Sequence, residues 1–314
     1  MIWRSPAVRL QFSTCLLLIA LCAPATDTGA DATASTGRFF FSGDGVIDLY
    51  NAHFDEHLTV RYRDADGTYD PAALARIEHF FRSRDDGQSG PLSLRLIELI
   101  DFVQDRYRPS RLTLVSGYRS PDFNQSLRKA GHRVAQASLH TEGLAADLHP
   151  DDVDLRRLWL DLRTLAVGGV GLYQADGFIH VDTGTARFWE PATSGVEKNL
   201  SADNARLFAR SDFDRYTDLN GAVVGLHAVT ALPLRIDRTA HLGDRSLTIV
   251  PLGSGIAADG DCFVISEPAA RYEFRVVTAL SPPLQRLPIR LHTCAPRIGK
   301  TAREIDTNPV EGLR

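Results

Sequence analysis

Apolar positions follow a two-residue period near the start of the folded chain, a helical period after it and a two-residue period again at the end. Gly45-Val46-Ile47-Asp48-Leu49-Tyr50 and Leu58-Thr59-Val60-Arg61-Tyr62 predict two short strands, joined by a turn over Asn51 to Glu56 and closed by Asp64-Ala65-Asp66-Gly67. Ala73, Leu74, Ile77, Phe80 and Phe81, then Leu94, Ile97, Leu99, Ile100 and Val103, fall at helical spacing around a break from Asp85 to Pro91. Two helices and a loop are expected there. Leu112-Thr113-Leu114-Val115 reads as a buried strand ending in Ser116-Gly117-Tyr118-Arg119-Ser120-Pro121, with a helix from Pro121 to Ala130 and a further strand at Ala145-Ala146-Asp147-Leu148. Beyond Trp189 the pattern changes. Leu234–Ile236, Leu247–Val250, Cys262–Ile265, Tyr272–Val277 and Ile289–His292 are short strands punctuated by Gly, Pro and Asp, which predicts a small all-β module with no catalytic motif of its own.

These changes divide the chain. Arg4 and Arg9, the apolar run Cys15 to Leu21 and Ala23-Pro24-Ala25 form the three regions of a secretory signal, which predicts a signal peptide over 1–25 cleaved after Ala25. The apolar stretch of about a dozen residues is short of the ~20 that a spanning helix needs, so no stable membrane insertion is expected after cleavage. Lipidation at Cys22 ranks second because Leu21 before it is bulky. The expected mature protein is therefore exported or periplasmic, with a small polar leader over 26–37, a main domain over 38–195, a linker over 196–217 and the β-rich module over 218–314. The signal takes two of the four cysteines with it. In an oxidising compartment Cys262 and Cys294 are expected to form one disulfide, the alternative being two buried thiols.

Composition narrows the partners. A 314-residue chain with 44% hydrophobic and 24% charged residues is globular rather than disordered or fibrous. Its formal net charge of -4 offers no broad cationic face, which argues against a nucleic-acid partner. An anionic polymer would have to be gripped locally, by individual arginines.

The densest chemistry lies in Ser138-Leu139-His140-Thr141-Glu142-Gly143-Leu144-Ala145-Ala146-Asp147 and Gly177-Phe178-Ile179-His180-Val181-Asp182-Thr183-Gly184. A catalytic zinc takes three protein ligands and keeps a fourth position open, and two imidazoles with one carboxylate are suitable donors. His140, Asp147 and His180 are the candidates for one Zn2+ ion. Gly143, Ala145 and Ala146 are small enough to let backbone pass close beside them.

The pattern Ser-x-His-x-x-Gly-x-Ala-x-Asp with a later His resembles the zinc D-Ala-D-Ala peptidases, the fold group shared with lysostaphin and sonic hedgehog, and within it the YcbK-like murein endopeptidases. The likeness also includes Val115 to Pro121, Asn124, Gly168-Gly169-Val170-Gly171, Tyr173 and Phe178 to Gly184, and it runs from about Gly45 to Trp189. It implies an α+β domain with an antiparallel sheet flanked by helices, zinc held by His140, Asp147 and His180, and an Arg119 guanidinium directed at the scissile carbonyl. A fixed cation there would stabilise the charge that builds on the carbonyl oxygen. Ser116, Tyr118 and Ser138 are candidates for holding the substrate backbone.

The general base is where the chain departs from the resemblance. Many relatives place a Glu or His two or three positions before the last His ligand, and this chain has Phe178 and Gly177. Asp182, two along a strand from His180, shares its face and is expected to act as base, to orient a ligand or simply to stabilise its turn; Asp176 and Glu142 are alternatives for the base. Gly168 to Gly171 lacks the Lys-Ser/Thr of a phosphate loop and is expected to make a tight turn into the strand bearing His180. His149 is expected to be solvated, and His53, His57, His79 and His132 receive no role.

The expected activity is hydrolysis of peptide bonds in peptidoglycan stem peptides or cross-links, with endopeptidase action favoured over removal of a terminal D-alanine. D,D and L,D linkages are both open. A second class, an inert zinc-containing protein of wall binding or assembly, is prompted by the missing upstream base and the extra module. For that module, polymer binding, partner docking and shielding of the cleft all stand.

Overall fold

The computed structural model describes residues 38–131, 138–193, 207–227, 232–269, 271–294 and 303–313. The expected signal and leader, His132 and residues 196–206 of the expected linker lie outside the described residues.

The N-terminal half is built on the strands β1 (Val46–Asn51), β2 (Glu56–Arg61), β3 (Leu112–Ser116), β4 (Ala145–Pro150), β5 (Gly169–Tyr173), β6 (Phe178–Asp182) and β7 (Arg187–Trp189), with helices α1 (Pro71–Phe80), α2 (Leu94–Tyr107), α3 (Pro121–Lys129) and α4 (Leu155–Leu165). Three helix starts are written locally. Asp70 accepts from the Ala72 amide with Pro71 following, Ser120 accepts from Phe123 with Pro121 following, and Asp154 accepts from Arg156 and Arg157. The helices bury one face each: Ile77 and Phe80 of α1, Leu96, Ile97 and Ile100 of α2, and Leu158 and Leu162 of α4 share one core with Ile47, Leu49, Leu148, Val170 and Ile179 of the sheet. Each such side chain taken out of water contributes about 1.5–3 kcal/mol, which is what holds helix to sheet.

The strand order is β2-β1-β3-β4-β6-β5-β7. The sheet is mixed, correcting the expectation of an antiparallel one: β1–β3 and β5–β7 pair parallel. The β1-to-β3 connection contains strand β2 and two helices, long enough for the crossover a parallel pair requires. A second correction concerns Gly168 to Gly171. Gly169 to Gly171 are strand residues of β5, which runs antiparallel to β6. The glycines serve close approach, because a Cβ at Gly169 would stand 2.2 Å from the Asp182 carboxylate and one at Gly171 2.5 Å from the Trp189 ring.

The C-terminal half has its own apolar core. Its strands are β8 (Phe208–Ser211), β9 (Arg215–Tyr216), β10 (Val223–His227), β11 (Leu234–Asp237), β12 (Thr239–Leu242), β13 (Arg245–Leu252), β14 (Ile256–Asp259), β15 (Cys262–Ile265), β16 (Arg271–Val276), β17 (Leu287–His292) and β18 (Glu304–Gly312). Eight of them form one sheet in the order β8-β10-β16-β13-β12-β17-β18-β9, and β11-β15-β14 form another. β8 and β9 fall inside the stretch expected as linker and are full members of the larger sheet. A disulfide joins Cys262 to Cys294, tying β15 to the chain just past β17.

Candidate metal centre

Register alone assembles the centre. Across the sheet, Ser116 pairs with Asp147, Asp147 with His180, His180 with Gly171 and Gly171 with Trp189. Cross-strand partners present their side chains on one face, so this row brings together residues that are far apart in sequence. A bulge sets its first member. The register shifts between Leu114 and Ser116, which turns Ser116 toward Asp147 and terminates the regular ladder at that edge of the centre. His140 comes from outside the sheet, on the 3-10 turn Leu139–Glu142 that precedes β4.

The three candidate donors form a tight triangle. His180 Nδ1 lies 2.9 Å from Asp147 Oδ1, His140 Nε2 lies 3.3 Å from His180 Nδ1, and His140 Nε2 lies 3.5 Å from Asp147 Oδ1. Ligands on a tetrahedral zinc with bonds of about 2.0–2.1 Å stand roughly 3.3 Å apart, so the triangle has the size of such a site.

The hydrogen bonds outside the triangle fix which nitrogens face inward. His140 Nδ1 donates to the Gly117 carbonyl at 2.8 Å, leaving Nε2 with its lone pair toward the cluster. His180 Nε2 donates to Asp182 Oδ2 at 3.0 Å, leaving Nδ1 toward the cluster. With both rings neutral, three electron pairs converge on one point, an arrangement that repels itself until a proton or a metal cation is shared among them. That chemistry fits a divalent metal held by two neutral imidazoles and a carboxylate.

Burial opposes charge at each of these groups, and the outcome differs from one to the next. It holds His140 below the usual imidazole range, with Arg119 adding to the effect. At Asp147 burial is outweighed by His140 and His180, which keep the carboxyl well below its ordinary range. At His180 burial is outweighed by the hydrogen bonds to Asp147 and Asp182, so the ring is pushed up. Asp182 is also lowered, because His180, Arg187 and the Gly184 amide together overcome its burial.

Asp182 is fully buried, and its contacts bear on the roles weighed for it. Its carboxylate meets Nε2 of His180, while Nδ1 faces the donor cluster. It also accepts from the Gly169 and Gly184 amides at 2.9 and 2.8 Å and from Arg187 at 3.1 and 2.6 Å. One of these bonds holds the His180 ring and the others tie the carboxylate to Gly169, Gly184 and Arg187, an arrangement that suits a carboxylate orienting a ligand and securing its own turn. Of the alternatives, Glu142 turns to His227 Nδ1 at 3.0 Å and Asp176 sits in the turn after β5, its amide donating to Tyr173.

Arg119 stands beside the triangle. Its Nη2 donates to Asp147 Oδ2 at 3.1 Å and its Nε to Ser116 Oγ at 3.2 Å, and its side chain is 15% exposed. Burial lowers its pKa and Asp147 offsets part of that, leaving an ordered guanidinium next to the donors. Ser116 therefore supports Arg119. Tyr118 donates its amide to the Phe81 carbonyl and packs its ring on Gly90, and Ser138 is buried with its carbonyl accepting from Thr141. His149 takes no part in the triangle and pairs with Asp151 at 2.8 Å.

Two aromatic residues that received no chemical role also line the centre. Trp189 lies over His180 with ring centroids 5.1 Å apart and donates Nε1 to the Tyr173 hydroxyl at 3.1 Å. Tyr173 in turn stacks on Phe178 at 4.5 Å. The available signal was the glycine at 171, which a neighbouring large ring requires.

The sequence profile of the family described as "Peptidoglycan L,D-endopeptidase MepK" matches residues 43–189. Peptidoglycan L,D-endopeptidase MepK of Escherichia coli (strain K12) is 34% identical over 172 residues, covering 54% of this chain and 91% of that protein. The probable peptidoglycan L,D-endopeptidase MepK of Haemophilus influenzae is 29% identical over 147 residues, covering 46% of this chain and 78% of its own. No solved structure matches the chain.

Proposed function

Since the chain belongs to the MepK family of murein endopeptidases within the zinc D-Ala-D-Ala peptidase group, we propose that it is an exported, zinc-dependent enzyme that hydrolyses L,D peptide bonds in peptidoglycan cross-links. Endopeptidase action on an internal bond is preferred to removal of a terminal residue, as in the relatives' names. The observation that carries the metal part of this reading is the convergence of three lone pairs, from His140 Nε2, His180 Nδ1 and Asp147 Oδ1, in one buried triangle. The hedgehog-like fold and the partition into peptidase domain and β module belong to the same reading.

His140, Asp147 and His180 would hold the zinc ion, which would supply Lewis acidity toward a scissile carbonyl and a water molecule. The protein's own groups do the rest. Gly117 and Asp182 hold the two imidazoles in the tautomers that present a lone pair inward. Arg119, steadied by Ser116 and Asp147, places a guanidinium where negative charge develops on the carbonyl oxygen. Trp189 and Tyr173 wall the His180 side of the centre and limit water there. Ser138 and Tyr118 flank the donor turns as candidates for holding the substrate backbone.

Digesting purified muropeptides with and without chelator tests the proposal. New termini at L,D linkages that disappear with chelator are expected. An inert wall-binding protein would produce none under either condition, and cleavage that survives His140→Ala would overturn the mechanism.

A further inference from the structure

The C-terminal module touches the peptidase half at the two turns that frame the donor triangle. Phe208 and His227 face each other across the β8–β10 pair, with rings stacked at 5.2 Å and 22° between planes. His227 Nδ1 meets the Glu142 carboxylate at 3.0 Å, with side chains 8% and 9% exposed. Glu142 ends the 3-10 turn that carries His140. Phe208 packs against Leu139, the first residue of that turn, and against Leu144 and Ala145, just before and at the start of β4. Two residues along β8, Arg210 donates to the Gly184 carbonyl. The Gly184 amide donates to Asp182 Oδ1, and the other oxygen of Asp182 holds His180.

Phe208, Arg210 and His227 therefore lie on one face of the β8–β10 edge and reach both histidine-bearing segments. A buried ion pair by itself is weak evidence of stabilisation, because desolvation cancels much of the attraction. What such a pair fixes is geometry. A 3-10 turn of 4 residues makes few hydrogen bonds of its own, so its orientation depends on what it packs against.

We infer that the C-terminal β module braces the metal centre, with His227, Phe208 and Arg210 as positioning residues that hold the His140 turn and the Asp182–Gly184 turn in register with β4. The inference rests on the metal-site reading above. None of the three touches a donor atom, and they act through Glu142, Leu139 and Gly184.

The test uses the full chain in four forms: wild type, His227→Ala, His227→Asn and Phe208→Leu. Asn offers its amide nitrogen near the position of His Nδ1 and so can keep the bond to Glu142. Zinc affinity is read by competition with a chromophoric chelator, and amide exchange over residues 139–144 is read without metal. His227→Ala is expected to weaken zinc binding about 10-fold, as loss of an outer-shell contact does, and to speed exchange in 139–144, with Phe208→Leu weaker in the same direction and His227→Asn near wild type. Phe263→Leu, in the module core away from the contact, controls for lost stability and is expected to leave zinc affinity unchanged. If folded His227→Ala and Phe208→Leu bind zinc as wild type does and protect 139–144 equally, the brace is refuted. A wild-type protein that holds no zinc refutes the functional reading instead, and the exchange result then decides the brace alone.

Discussion

Among the described residues of the peptidase half, two places gather three potential metal donors, and they resolve the same electrostatic problem in different ways. One is the triangle of His140, Asp147 and His180, all buried; the other is Asp44, Asp101 and Asp105, of which only Asp101 is buried. In the acidic group Asp101 accepts from the Gly45 amide at 2.9 Å and from the Tyr62 hydroxyl at 2.7 Å. Burial, with Asp105 and Glu98 adding to it, still raises its pKa to about 8. A retained proton removes the conflict there. In the triangle the rings are pinned through their far nitrogens, Asp147 stays ionised, and Arg119 and Arg187 stand close by. A lone-pair site of that kind is settled by a cation. The number of clustered donors says little, and what takes up the excess charge says much.

The comparison breaks most sharply on the metal itself. His140→Ala is expected to lose zinc after dialysis and to lower muropeptide cleavage by at least ~1,000-fold, while Asp101→Asn keeps wild-type zinc content. Equal losses in the two variants, by elemental analysis, would erase the distinction. Next in size, Arg119→Ala is expected to reduce kcat by about 100- to 1,000-fold with zinc retained, the cost of removing a transition-state charge partner. A change confined to KM would assign Arg119 to substrate binding alone. Asp182→Asn is expected to weaken zinc affinity about 10- to 100-fold, since it loosens a ligand without removing one. If it instead abolished turnover at saturating zinc, the carboxylate would have a role in proton transfer after all.

The smallest effect concerns pH. Because the carboxyl of Asp101 titrates near 8 when folded and far lower when unfolded, the native state holds a proton that the unfolded chain has released. Stability therefore falls as pH rises from about 4 toward 8 and levels off above it. Denaturant titrations at pH 5 and pH 8.5 check this, and Asp101→Asn is expected to flatten the difference.

Much of this half was legible because its signals are local. The Asp70-Pro71 and Ser120-Pro121 pairs announce the helix starts, and the apolar spacing in α1 and α2 announces which face is buried. Helix α4 carries the same signals, with Asp154 as cap and Leu155, Leu158, Trp159 and Leu162 at helical spacing, between two motifs far denser in chemistry. Strand β18 was harder to see. Its buried positions include Thr307 and Asn308, and Pro309 interrupts it, so no apolar alternation marks it. Two-residue spacing put Asp182 on the face of His180, but only the ring orientation tells that it meets Nε2. The bond between Glu142 and His227 joins residues 85 apart and has no local signature.

The segment before β1 has a history of its own in the making of the protein. Phe39 packs on Phe213, the Arg38 carbonyl accepts from the Asp214 and Arg215 amides, and the Phe40 amide donates to Asp214 across 174 residues of sequence. Arg286 lies over the Phe40 ring at 3.8 Å, so the earliest described stretch, which also meets Arg95 and Phe102 of helix α2, completes its seat among residues made much later. During synthesis its seat stays incomplete until the β-rich half emerges. The order in which the chain appears is thus the reverse of the order in which this corner can close.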